Sequence, residues 1–432
     1  MQIMLINVKN WFRDTLLRSQ SVTGTDNIYI AKQGFWAAAG FLMNTALGLA
    51  TIWVFANLVP RESYGIYKYL IALIGSLGFL MLSGIKTAVA QAVARGYEGA
   101  LAYSTRVQLL WNIAYIAVGA GIGGWYLWHG NGMFGWSLLI LAFGTALTNT
   151  YKTYGHYLNG KKEFRRSTIY GVLSTLFYGV TVLLAILASS NVLVWIVAYT
   201  VGSLAPALFF HSLVMQSIKA RSDDNASERA LIRFGGHLTL ANVPAILAQQ
   251  LDKILLFQFI GPASLAVYAF AALGTDHIKG LLKGIGAISS PRLTERSLPD
   301  IDRVFHRRTF QTMAIGATAS IVYIILAPLA FDLLFPLYQE SVIYSQVLSL
   351  SLIGTMAGTY MGNVFNAKKM VRTIYLSTTG TRFLQITLFV SLGYVWGIWG
   401  MVTATVVTNL SGIGYNFFLW ELAMRRAEIR QR

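Results

Sequence analysis

The sequence predicts an all-α polytopic membrane protein. It should hold about twelve transmembrane helices in two six-helix bundles related by a parallel internal repeat, with both termini cytoplasmic. Three observations carry that reading. The chain of 432 residues is 55% hydrophobic with a mean hydropathy of +0.55. Only 12% of its residues are charged, against about 25% in a soluble domain. Its lysines and arginines, finally, fall in alternate connections between the apolar runs, as cytoplasmic loops require.

Each element follows from a run of about 20 apolar residues, the length that crosses a bilayer. Such runs occur at 34–58, 66–90, 107–128, 133–156, 169–188 and 192–215, then at 238–260, 264–288, 310–334, 341–365, 374–396 and 398–420. Trp125, Tyr126 and Trp128, and later Trp396 and Trp399, stand at run ends as interfacial anchors. Most of the 34 basic residues lie before the first run or after the even-numbered ones, whereas the opposite connections hold only Arg61. That asymmetry absorbs the net charge of +17 and removes the case for nucleic acid that a basic soluble domain would present.

The expected organisation is a cytoplasmic N-terminal segment over 1–33, able to lie on the inner leaflet as a basic amphipathic helix. An N-terminal bundle follows over 34–215, then a linker over 216–237 that includes Ser222–Arg229, a C-terminal bundle over 238–420 and a basic tail over 421–432. A shift of 201 positions superposes Ser63 on Ser264 and Tyr67 on Tyr268, with Pro60 and Pro262 one residue apart. Both halves then start on the cytoplasmic side, an arrangement in which transporters place substrate between the halves and rock them.

Charges at membrane depth mark the candidate site. Such residues cost about 2.5–3.5 kcal/mol even on lenient insertion scales and usually face a bundle interior or a wet cavity. Asp252 and Lys253 lie in the seventh run, Asp276, Lys279 and Lys283 in the eighth, and Arg382 in the eleventh. At ~1.5 Å per residue, Asp252, Lys253 and Asp276 stand roughly 20 Å from the cytoplasmic face, Lys279 about 15 Å and Arg382 about 12 Å. Lys253, Lys279 and Arg382 are the candidate anion contacts, and Asp252 and Asp276 the charge-tuning or coupling carboxylates. Sequence neighbours point about 100° apart on a helix, so Asp252 and Lys253 are not expected to pair, and Lys253 is expected to reach Asp276. Lys283, Lys86 and Lys152 lie near cytoplasmic ends, where snorkelling is expected, and Lys68 lies near the outer face. Gly280 and Gly284 form a GxxxG pair suited to close helix packing. Asn242, Pro244, Gln249 and Gln250 make the seventh helix polar, and Pro244 should kink it, so these four are candidate hinge or cavity-lining residues. His277 has no second ligand at helical spacing, and with no cysteine in the chain neither a metal nor an organic cofactor is expected.

The turn LVPRESYGIYKYL, its echo LDKILLFQFIGPASLAVYAFA and the basic NGKKEFRRS resemble the Wzx-type O-antigen and polysaccharide flippases of the multidrug/oligosaccharidyl-lipid/polysaccharide exporter superfamily. The resemblance runs over essentially the whole chain, although the lipid II flippases of that superfamily typically carry two further spans. It implies a non-enzymatic protein of the bacterial inner membrane that moves an undecaprenyl-pyrophosphate-linked oligosaccharide to the periplasmic leaflet by alternating access. It also implies a cationic central cavity, H⁺ or Na⁺ coupling, and a polysaccharide polymerase and chain-length regulator as partners beside membrane lipids. The competing readings are a drug/cation antiporter, which calls for an acidic or aromatic cavity, and a membrane-embedded polymerase or glycosyltransferase, which calls for a sizeable outer loop.

Overall fold

A computed structural model describes residues 27–218, 225–288, 293 and 296–431, so most of the N-terminal segment and the Lys283 side chain lie outside the described residues. Every regular element among them is helical. The N-terminal half holds α1 (Asn27–Leu58), α2 (Arg61–Ser76), α3 (Ile85–Ala94), α4 (Ala100–Trp128), α5 (Gly132–Tyr151), α6 (Tyr154–Gly160), α7 (Phe164–Ala188) and α8 (Val192–Gln216). The C-terminal half holds α9 (Asn225–Phe259), α10 (Pro262–Ile288), α11 (Leu298–Leu334), α12 (Ser341–Ser349), α13 (Ser351–Ala367), α14 (Val371–Trp396) and α15 (Ile398–Gln431). Part of the stretch expected as a linker, 225–237, is instead the start of α9, and α15 runs on through most of the expected tail.

Among the described residues, nine segments are long and apolar enough to cross a membrane by length and composition. The other three crossings are α10, α14 and α15, of 27, 26 and 34 residues, diluted by the deep charges and by threonines and asparagines. The second crossing is split into α2 and α3, the fourth into α5 and α6, and the tenth into α12 and α13. Large apolar side chains point outward along the helices, as lipid contact allows, and Trp128 at the end of α4 is 89% exposed.

The repeat is visible in the helix ends. α1 stops at Leu58 and α9 at Phe259, and α2 starts at Arg61 and α10 at Pro262, each pair 201 positions apart. Gly261 adopts φ +114°, a conformation glycine takes without a Cβ penalty, and so lets Pro262 open the next helix, where its missing N–H is not needed. The sequence carries a second echo. NGKKEFR at 159–165 and NAKKMVR at 366–372 close the fourth and tenth crossings, and each carries a lysine in the left-handed region, Lys162 at φ 62° and Lys369 at φ 52°.

The basic connections lie on one face. Lys161 pairs with Glu98, Lys368 donates to the Arg296 carbonyl, and Trp420 Nε1 donates to Asp302 at 2.9 Å, each joining two different basic connections. The Arg61–Glu340 ion pair joins two turns on the opposite face.

The halves meet at both ends. On the opposite face, a Cβ on Gly65 of α2 would lie 1.9 Å from the Pro262 carbonyl oxygen, so only glycine permits the approach. Tyr64, Phe270 and Tyr338 form a buried plug there, with Phe270 3.9 Å from Tyr338 and 5.0 Å from Tyr64, centroid to centroid. Such ring pairs contribute about 0.5–1.5 kcal/mol each beyond area burial. Toward the basic face, a Cβ on Gly84 would lie 2.4 Å from the Gly235 carbonyl oxygen, and the Gly84 N–H donates to Thr239 Oγ1 at 2.9 Å. That contact brings α3 against α9.

Candidate functional site

The deep charges of the C-terminal half pair locally. Lys253 does not reach Asp276. Its Nζ lies 3.7 Å from Asp252 Oδ1 and donates to the Gln249 carbonyl at 3.1 Å. The expectation that neighbours 100° apart cannot pair fails because the lysine stem is long enough to curl back. Asp252 meanwhile bends over its own helix and accepts the Lys253 backbone N–H at 2.8 Å. Its other oxygen accepts from the Tyr268 hydroxyl of α10 at 2.9 Å. Lys279 pairs with Asp276 one turn away at 3.4 Å. Asp276 is 64% exposed at its side chain and faces open space, and Lys68 of α2 lies within electrostatic reach of it, with Nζ 5.3 Å from the Tyr64 ring centroid. Arg382 stands apart and donates to Gln385 Oε1 at 2.7 Å. The three expected anion contacts therefore form no single cluster.

The polar residues of the seventh crossing divide. α9 continues as helix through Pro244. Gln250 packs at the interface of the halves, 3.4 Å from where a Gly75 Cβ would stand. Gln249 and Asn242 are exposed. Gly280 has nothing within 4 Å of a built Cβ, so no close-packing face forms there.

A cavity of about 660 Å³ lies elsewhere, inside the N-terminal half. Its size sits within the roughly 300–1,000 Å³ of small-molecule sites. Lys86, Lys152 and His156 line one end. Two breaks in the helices put them there. Between α2 and α3 the chain passes through a single 3₁₀ turn, Leu77–Leu80, and an extended Met81, so that Lys86 falls in the first turn of a new helix. Irregular backbone at membrane depth persists only where protein buries it, and here Thr239 of the other half takes the Gly84 N–H. The fourth crossing breaks at Lys152–Thr153, opposite a buried polar network. Asn112 of α4 donates to the Ala146 carbonyl at 3.1 Å and to Thr150 Oγ1 at 2.9 Å, and Gln108 donates to Thr153 Oγ1 at 3.2 Å.

Both lysines were expected to snorkel out to the interface. The structure corrects this: they line the cavity. Lys86 donates to Asn149 Oδ1, and neither lysine pairs with a carboxylate among the described residues. The walls carry Asn44, Ser174 and Thr175, with Tyr178 and Tyr199 farther along. Tyr178 meets Tyr199 edge-on at 5.7 Å and lies 3.4 Å, oxygen to oxygen, from the Tyr67 hydroxyl. Depth counted along straight helices missed this site. The split of the second crossing was foreshadowed by the glycines and serine of SLGFLMLSG, but nothing in the sequence shows which lysines lack partners.

The polysaccharide biosynthesis protein family matches residues 30–296, more than half of the chain. The chain belongs to that family. Its fold is shared by solved transporters of the MOP superfamily. An inward-facing multidrug resistance MATE family transporter superposes with a TM-score of 0.68 at 15% identity, over 90% of this chain and 96% of that one. The lipid II flippase MurJ in an inward closed conformation superposes with a TM-score of 0.70 at 13% identity, over 89% and 87%. A MOP superfamily transporter from Pyrococcus furiosus, described as having a binding pocket of reverse polarity, gives 0.57 at 15% identity, over 90% and 95%. No curated protein's sequence matches that of the chain. Family membership agrees with the resemblance to polysaccharide flippases, and the neighbours establish the fold of a multi-pass membrane protein.

Proposed function

We propose that the protein is a flippase for undecaprenyl-pyrophosphate-linked oligosaccharides, moving them from the cytoplasmic to the periplasmic leaflet of the bacterial inner membrane in surface polysaccharide synthesis. The observation that carries this reading is the Lys279–Asp276 pair of α10, its carboxylate 64% exposed, with Lys68 of the other half over the Tyr64 ring and close enough to feel the Asp276 charge. Charged groups contributed by both halves give a head group a polar route that alternates as the halves rock. A pyrophosphate is at least a dianion, and lysine offers it charge-assisted hydrogen bonds that strengthen as water is excluded. The prenyl tail stays in lipid. By the distribution of basic connections the basic face and both termini are cytoplasmic, so the face closed by Gly65 and the aromatic plug is periplasmic. A polymerase and a chain-length regulator would receive the product.

Lys279 and Lys68 are assigned to the pyrophosphate, Arg382 to the same route farther along α14, and Asp252 to coupling. The Asp252 carboxylate, held by Tyr268 and Lys253, is placed to exchange its lysine for H⁺ or Na⁺ as α9 and α10 shift. A cation antiporter is disfavoured, since the large cavity is lined by lysines and no carboxylate.

The test is flipping of a fluorescent lipid-linked oligosaccharide in proteoliposomes. Lys279→Gln and Lys68→Gln each lower the rate at least tenfold, while Lys279→Arg retains most of it. Unchanged rates in both glutamine variants would reject the assignment, and Asp252→Asn abolishes the response to an imposed ion gradient.

A further inference from the structure

Resting on that flippase reading, we propose that the cavity inside the N-terminal half binds an acidic sugar of the glycan head group, with Lys86 and Lys152 holding its carboxylate. Two cations brought together without a carboxylate repel one another and lose hydration. A protein that needed them only for topology would leave them in the interface, where basic side chains cost little. Here breaks in two crossings turn them inward instead. His156 borders the same end, and Lys86 makes its hydrogen bond to a neutral amide. The arrangement is completed by an incoming anion.

The remainder of the lining identifies that anion as part of a sugar. Beyond the lysines the walls present hydroxyls and amides, Asn44 and Thr175 among them, and the aromatic side chains of Tyr178 and Tyr199. Hydroxyl-rich ligands with apolar ring faces need both kinds of contact. The volume of about 660 Å³ is several times what a pyrophosphate would fill. Access also separates the two anions. α1 closes on α7 through the Asn44–Thr175 hydrogen bond and through Gly40 against Thr168, which walls the cavity from lipid on that side. A pyrophosphate tethered to a membrane-bound tail must stay near lipid, whereas the far end of the glycan is free to enter.

The experiment uses the full-length protein in nanodiscs, titrated with three soluble probes: a glucuronate-containing disaccharide, its neutral glucose counterpart and inorganic pyrophosphate. The uronate binds at least tenfold more tightly than the neutral sugar. Lys86→Gln with Lys152→Gln removes that preference, and the corresponding double arginine variant, which keeps charge and volume, preserves it. Equal binding of the two disaccharides, no binding of either, or pyrophosphate outcompeting the uronate would overturn the proposal. In proteoliposomes, the ratio of acidic to neutral lipid-linked glycan flipped falls at least tenfold in the double glutamine variant. An unaltered ratio with both rates lowered defeats the sugar assignment and leaves the flippase reading standing. A wild type that binds the uronate yet moves no lipid-linked glycan defeats the flippase reading, and with it the glycan as the source of the sugar.

Discussion

The two halves share a repeat but handle charge in opposite ways. In the C-terminal half the deep cations are held by neighbours on their own helices: Lys253 by Asp252, Lys279 by Asp276 and Arg382 by Gln385. The helices that carry them, α9, α10 and α14, run unbroken. In the N-terminal half the second and fourth crossings are broken, and Lys86 and Lys152 enter a cavity with no acid to meet them. Depth in the membrane therefore does not decide which charge is available to a substrate. Local pairing sets the terms: Lys86 and Lys152 offer their charge with no carboxylate among the described residues to displace, whereas Lys279 must exchange Asp276 for its ligand.

The largest effects come from separating the halves at one end while sparing the other. Gly65→Ala would drive a methyl into the Pro262 carbonyl, and Gly84→Ala into that of Gly235. Backbone cannot yield as a flexible side chain does, so each substitution opens its own end. Because the chain has no cysteine, paired cysteines report on this directly. A crosslink between Arg61→Cys and Glu340→Cys forms readily in the parent and falls severalfold with Gly65→Ala. With Gly84→Ala it persists. Both glycine variants lose flipping at least tenfold, since alternating access needs both closures. A crosslink insensitive to Gly65→Ala would show that the plug of Tyr64, Phe270 and Tyr338 closes this face unaided.

Next in size is the cost of breaking a pair. The Asp252 and Lys253 side chains are 14% and 26% exposed, so the loss on removing one partner falls between the about 0–1 kcal/mol of exposed pairs and the about 3–5 kcal/mol of buried ones. Lys253→Gln lowers the melting temperature in detergent, and adding Asp252→Asn recovers part of the loss. Lys152→Gln, which removes a cation with no carboxylate partner, leaves the melting temperature unchanged or raises it. Equal destabilisation by Lys152→Gln and Lys253→Gln would erase the distinction between the halves.

That distinction also marks how far the sequence could be read. Apolar run length located the helices, nine of which among the described residues are long and apolar enough to cross, because a lipid core fixes the length of any helix that spans it. The 201-residue offset, seen in Ser63 and Tyr67, reappears in the ends of α1, α2, α9 and α10. The expectation that Lys86 and Lys152 snorkel to the interface presumes continuous helices, and both of their crossings are broken. Lys253 misled for a different reason. A helical wheel fixes the direction of a Cβ, whereas a lysine Nζ ranges over several more bonds. The repeated NxKKxxR turns are legible in the sequence, at an offset of 207 rather than 201, because the two halves differ in length between the first outer turn and the fourth crossing.

The smallest effect belongs to Arg61. Its ion pair with Glu340 bridges the halves, but the two side chains are 45% and 52% exposed. Exposed pairs are worth about 0–1 kcal/mol and weaken with salt. The guanidinium also donates to the Leu337 carbonyl and lies 5.3 Å from the Tyr338 ring centroid, contacts that survive loss of the carboxylate. Glu340→Gln therefore changes the melting temperature less than Arg61→Gln does, and 0.5 M salt narrows the gap between Glu340→Gln and the parent. A loss from Glu340→Gln comparable to that from Gly65→Ala would place the closure of this face in the ion pair rather than in the glycine contact, and would make the two ends of the interface unlike in kind.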